Sequence, residues 1–135
     1  MIRLALDTSV AVPLLVPRHP DHQLACAAMK EATIAMTGHS QAETYSVLTR
    51  LPGDARLAPV DAARLLTTGF EKPLLLEPTT VADLPSILAA HQVSGAAVYD
   101  AMVGLATVGT GVTLLTRDRR AAATYSALGI DFRFL

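Results

Sequence analysis

The stretch VYDAMVGLATVGTGVTLLTRD, residues 98–118, decides how the chain folds. From Val93 to Thr116 the only charged residue is Asp100, and almost everything else is apolar or small. Asp118 then arrives flanked by Arg117, Arg119 and Arg120. A run this apolar has the length of a membrane span, but Asp100 would then sit in the bilayer at a cost of roughly 3 kcal/mol. Gly109-Thr110-Gly111 also breaks the run, because closely spaced glycines mark turns. The pieces read as a buried helix over 97–108 and a buried strand over 112–115. Parallel strands covered on both faces read as such continuous apolar runs. An ionised carboxylate buried without a partner is costly, and no Lys or Arg lies near Asp100 in the sequence. A metal ion is the natural counter-charge, with Asp118 as a co-ligand.

Working outward, short apolar strands are expected at 2–6, 33–36, 73–76, 112–115 and 131–135. Helices are expected between them. Pro13 and Pro17 hold the first, within 10–16, to a turn or two. The second covers 21–31 and the third 40–50. Pro59 suits the first position of the next. Thr80-x-x-Asp83 opens another, with Val81, Leu84, Ile87 and Leu88 inward. After the 97–108 helix a last one runs to Leu128, with Ala121, Tyr125 and Leu128 on one face and Gly129 just beyond its end. This alternation describes an α/β fold, a parallel sheet with helices on both faces and right-handed crossovers. Such sheets bind ligands beyond the C-terminal strand ends, where strand order reverses. Asp7 and Asp118 lie just past strand ends. Glu43 and Asp100 are placed in the first turns of helices starting at the same edge. Purely structural roles compete at two positions: Asp7-Thr8-Ser9 has the makeup of a helix N-cap, and Ser40-x-x-Glu43 the spacing of a capping box.

The whole chain narrows the function. At 135 residues it is expected to form one domain, 1–135. A net charge of −1 excludes a global basic field, so any nucleic-acid contact is local. Hydrophobic content of 51% and mean hydropathy of +0.39 point to a buried interface with another chain. The single cysteine, Cys26, excludes an internal disulfide. It fits a reducing cytoplasm, and MIRLALDTS lacks a signal-peptide layout, so a cytoplasmic location with no membrane association is expected. There is no dinucleotide or Walker A glycine loop and no G-x-S-x-G elbow. His19 and His22 lie in a proline-containing loop with no third ligand nearby. Phosphatases of other α/β families place a second aspartate two residues after the first, where this chain has Ser9.

Four carboxylates at one sheet edge repel one another in a crevice of low dielectric. A divalent cation with hard oxygen ligands, Mg²⁺ or Mn²⁺, resolves that repulsion. It also activates water and stabilises the charge of a phosphodiester in reaction. Thr8, Ser9 and Thr116 are placed to give hydrogen bonds to the carboxylates.

LDTSV at residues 6–10, SQAE at 40–43, VYDA at 98–101, LLTRD at 114–118 and the ending TYSALGIDF at 124–132 together resemble the PIN-domain family, and within it the VapC-type toxins of bacterial toxin–antitoxin pairs. The resemblance implies a five-stranded parallel sheet of order 3-2-1-4-5. It implies Mg²⁺- or Mn²⁺-dependent endoribonuclease activity on RNA, a homodimer, and a cognate antitoxin that inserts a segment near the active site. Its four acids fall on Asp7, Glu43, Asp100 and Asp118. Some members carry a further acid after the last of these, where this chain has Arg119 and Arg120. Arg117, Arg119 and Arg120 are candidates to hold substrate phosphates, with a solvated helix start as the plainer role. The apolar run Val10, Val12, Leu14, Leu15 and Val16 is expected to help form a groove for an antitoxin helix. A non-catalytic interaction module on the same fold is the alternative.

Overall fold

In the computed structural model, which describes residues 2–135, β1 (Ile2–Leu6) lies between β2 (Ala32–Met36) and β3 (Thr113–Thr116), and β4 (Phe132–Phe134) adds to the far side of β3. All three pairings are parallel, with Leu6 opposite both Met36 and Leu115. Alternate strand residues face opposite sides of a sheet, and the apolar runs fill both. Leu4, Leu6 and Leu115 face a core that includes Val10, Met29, Met36 and Leu48. Ala5 and Leu114 face another built from Val103, Ala121, Tyr125 and Ile130. The first face is covered by α1 (Thr8–Leu15), α2 (His22–Met29), α3 (Gly38–Leu48) and α4 (Pro59–Thr67), and the second by α7 (Ala97–Ala106) and α8 (Arg119–Ala127). Among the described residues no helix is long and apolar enough to cross a membrane.

The expected fifth strand is not formed. Residues 73–76 make a single parallel bridge, Thr37 to Leu74. Its bonds run from Leu74 N–H to the Met36 carbonyl (2.9 Å) and from Gly38 N–H to the Leu74 carbonyl (3.0 Å). Pro73 has no N–H to give to a ladder, and Leu75 is left 71% exposed. The segment occupies the place expected of it, beside β2, but the sheet has four strands in the order β2-β1-β3-β4 rather than five in the order 3-2-1-4-5.

The helix expected around 80–88 is two short ones, α5 (Pro78–Ala82) and α6 (Leu84–Ala90), broken at Asp83 with Pro85 in the first turn of the second. Proline suits a helix start and not a helix interior. Val81 is consequently exposed rather than inward. The last helix ends as its sequence implies: Leu128 is its C-cap, and Gly129 follows with φ of 69°. Gly104 of α7 permits a close approach, since a Cβ there would lie 3.0 Å from Ile130 and 3.1 Å from Tyr125. That approach brings α7, and Asp100 with it, against α8.

Candidate active site

The chain leaves β1, crosses to β2, and returns over the sheet to β3 on the other side of β1. The reversal opens a crevice at the C-terminal ends of β1 and β3. Asp7 follows the last residue of β1, and its N–H bonds to the Leu115 carbonyl of β3 at 3.2 Å. Asp118 follows β3 by two residues. Asp100 sits in the first turn of α7, and Glu43 projects from α3. All four line one cavity of about 70 Å³, together with Thr8, Ser9 and Tyr125. Four segments far apart in sequence thus place their carboxylates around one small space.

Asp7 is the most deeply held. Oδ1 accepts from the Ser9 N–H at 3.0 Å and from the Ser9 hydroxyl at 2.5 Å, while Oδ2 accepts from the Tyr125 hydroxyl at 2.9 Å. Burial pushes its carboxyl above the ordinary value, and the Ser9, Thr116 and Tyr125 hydroxyls oppose that shift by hydrogen bonding. Burial, reinforced by the charge of Asp7, likewise pushes the Tyr125 phenol up. The N-cap role expected for Asp7 is real, since it caps α1 through Ser9, but this uses only one of its oxygens. Asp118 caps α8 in the same way, accepting from the N–H groups of Arg120 and Ala121 through Oδ1.

Asp100 is pushed up to about 6, first by burial and then by the negative charges of Asp118, Asp7 and Glu43, with Arg120 opposing. The partner that the sequence seemed to lack for this carboxylate is in part Arg120, twenty residues away. The remaining repulsion is what a divalent cation would relieve. The donor set fits such an ion, being carboxylate and hydroxyl oxygen throughout. Among the described residues no three of the donor side chains converge tightly enough to enclose a bare ion. A cation held here would therefore need to keep part of its water.

Of the hydroxyls expected to donate to the carboxylates, Ser9 does so to Asp7, and Ser9 and Thr116 also accept from backbone N–H groups. The Ser9 hydroxyl accepts from Arg117 N–H at 2.8 Å and the Thr116 hydroxyl from Asp118 N–H at 3.0 Å, and the two hydroxyls lie 3.4 Å apart. Thr8 lines the cavity. Glu43 takes no part in the capping box. The N-cap of α3 is Thr37, and its box partner is Ser40, so the helix starts earlier than expected and Glu43 lies a turn further in. Its Oε1 instead lies 2.5 Å from His39 Nε2.

The three arginines separate. Arg117 is paired with Asp21, and Arg119 lies over the Phe134 ring, 5.6 Å from its centroid. Arg120 alone of the three lines the recess outside the carboxylates, together with His39, Glu43, Tyr99, Asp100 and Asp118. Of the three candidates for phosphate contact, only Arg120 stands beside the carboxylates. Tyr125, read from sequence only as core, and His39, read only as a turn residue, were both missed. Nothing in a helix's packing face announces that its tyrosine hydroxyl points back to an aspartate at position 7.

The fold and the acid-lined crevice define a class, and comparison with known proteins names it. The model of the PIN domain matches residues 4–126. The chain belongs to the PIN-domain family. It is 54% identical over 127 residues to the protein named ribonuclease VapC27 of Mycobacterium tuberculosis, covering 94% of this chain and 93% of that one. It is 40% identical over 129 residues to ribonuclease VapC40 of the same organism, covering 95% and 96%. In fold it is similar to VapC20 of M. tuberculosis, a Sarcin-Ricin loop cleaving toxin (TM-score 0.67, 21% identity, 89% of this chain and 93% of that one). It is also similar to VapBC2 of Rickettsia felis bound to a promoter DNA fragment (TM-score 0.67, 12% identity, 99% of both chains).

Proposed function

We propose that this protein is a divalent-metal-dependent endoribonuclease and the toxin of a toxin–antitoxin pair. The observation that carries the reading is the convergence of Asp7, Glu43, Asp100 and Asp118 on one cavity at the reversal point of the sheet. The names of the two relatives, both ribonucleases and both matched over nearly their whole length, support it. Mg²⁺ or Mn²⁺ held by these four side chains would make a bound water acidic and neutralise charge on the phosphodiester. The chain's own part is positional. Ser9, Thr116 and Tyr125 hold the Asp7 carboxylate in one orientation, and the α8 N-terminus holds Asp118. A fixed constellation of this kind lowers the reorganisation needed as charge develops in hydrolysis.

The antitoxin belongs to the same reading. A recess of about 370 Å³ lined by Leu15, Val16, Leu48, Leu51, Leu57 and Leu65 lies between α1, α3 and α4 and suits an apolar helix. Leu15 and Val16 of the apolar run at 10–16 supply part of it. Homodimerisation and a cytoplasmic location complete the proposal. The test is induced expression of the wild-type chain and of Asp100→Asn, followed by sequencing of RNA 5′ ends. New, site-specific ends in the wild type alone support the reading. Identical ends in both would reduce the chain to a non-catalytic module on the PIN fold.

A further inference from the structure

Beside the carboxylates, and sharing Glu43, Asp100 and Asp118 with them, lies an open recess of about 400 Å³. That is within the range of small-ligand sites, about 300–1,000 Å³. Its wall carries the His39 and Tyr99 rings stacked on each other, with centroids 5.3 Å apart and planes within 10°. His39 Nε2 lies beside Glu43 Oε1 at 2.5 Å. Tyr99 is 55% exposed although it is a large aromatic. Arg120 stands on the same recess, and among the described residues it enters no ion pair.

We propose that Tyr99, seated on His39, is a stacking platform for one base of the RNA beside the bond to be cut, with Arg120 holding a flanking phosphate. The inference rests on the ribonuclease reading above and adds to it the residues that position the substrate. Single-stranded RNA is held by stacking splayed bases on aromatic side chains and by cations along its backbone. This recess supplies one of each, at the rim of the acids. The Tyr99 ring rests on the His39 ring, which is itself in contact with Glu43, so less side-chain freedom is left to lose when a base arrives. A protein helix is the poorer occupant, since Ala96 is the only aliphatic side chain lining the recess.

The test is a double-mutant cycle between Tyr99 and the RNA. Binding of a labelled single-stranded oligonucleotide spanning a mapped cleavage site is measured by fluorescence anisotropy. The full-length Asp7→Asn protein is used so that the strand stays intact. Each nucleotide near the cleaved bond is replaced in turn by an abasic one. At one position, the abasic change weakens binding on the order of tenfold, the usual scale of base-on-aromatic stacking. In the Tyr99→Ala protein that penalty falls below about twofold, as a direct contact requires in such a cycle, while Tyr99→Phe keeps it. In the cleaving protein, Tyr99→Ala raises KM more than it lowers kcat. Arg120→Ala weakens binding at every position alike. An abasic penalty that survives unchanged in Tyr99→Ala overturns the platform and leaves the ribonuclease reading standing. So does a Tyr99→Ala protein that binds RNA normally but has lost a co-purifying protein partner. A chain that neither binds nor cuts RNA overturns both.

Discussion

The Tyr125 hydroxyl donates to Oδ2 of Asp7 across 2.9 Å, joining the packing face of α8 to the carboxylate at the end of β1. Both groups are buried. A phenol that faces an ionised carboxylate in such a place does more than fill space, since bonds to charged acceptors are about twice as strong as neutral ones.

Tyr125→Phe keeps the ring and its packing against Gly104 while deleting that donor. The expected loss of stability near neutral pH is about 1.5–3 kcal/mol, the range for a hydrogen bond to a charged group. Urea denaturation checks it. The Asp7 carboxyl, already raised by burial, rises further without this donor, so RNA cleavage falls and recovers in part at higher pH. An unchanged denaturation midpoint together with unchanged cleavage would relegate Tyr125 to core packing.

Asp100 gives a pH dependence with a definite sign. Its carboxyl binds a proton more tightly in the folded chain, at about 6, than its ordinary 3.8. The associated stability is complete below about 4 and is lost as pH rises through about 6. Asp100→Asn carries no charge to lose. Without divalent cation it is therefore more stable than wild type at pH 7.5, by ~1 kcal/mol once solvent screening in this half-open crevice is allowed for. At pH 4 the two have the same melting temperature. A gain that persists undiminished at pH 4 would show that the carboxylate repulsion is not its source.

Glu43 and Ser40 can be told apart by substitution. Ser40 is buried and closes the capping box with Thr37, its hydroxyl accepting from Thr37 N–H at 2.9 Å. Ser40→Ala costs on the order of 1 kcal/mol, the usual value of a cap. Glu43→Gln leaves thermal stability within about 0.5 kcal/mol, as surface changes do, but lowers Mn²⁺ affinity and cleavage. Calorimetric titration of both variants with Mn²⁺ checks the split. Glu43→Gln with full metal affinity would remove Glu43 from the ligand set.

These residues also show where sequence reading reaches. Asp7, Asp100 and Asp118 were legible because charge is scarce in this chain and each lies in or beside an apolar run, whereas Glu43 was read from the SQAE segment. The strands β1 to β4 followed from the same runs, whereas their order came from the family resemblance. What failed needed information from outside the local window. Thr37 outcompeted Ser40 as the cap because the bridge to Leu74 holds Thr37 extended at the sheet edge. Residues 73–76 read as a strand by hydrophobicity, but a strand also needs donors and a covered face; Pro73 has no N–H to give, and Leu75 is largely exposed. Arg117 and Arg120 are indistinguishable by sequence, and only the tertiary structure pairs the first with Asp21.

The last prediction concerns the cation. With carboxyl groups raised at Asp7 and Asp100, protons and metal compete for the same oxygens, so metal binding releases protons and strengthens with pH. Mn²⁺ binds the folded chain and has no assembled site in the unfolded one, so it raises the melting temperature. At a concentration about 100-fold above its dissociation constant the stabilisation is ~2.7 kcal/mol. The rise is larger at pH 8 than at pH 5.5, because below about 6 a proton already occupies Asp100. It is largely abolished by Asp7→Asn, and chelator returns the wild type to its starting value. Differential scanning fluorimetry at the two pH values, with and without Mn²⁺, reads all of this directly. A chain indifferent to millimolar Mn²⁺ but stabilised by zinc would move the site away from these oxygens and toward the histidines. A metal shift of equal size at both pH values would mean that Asp100 is not among the ligands.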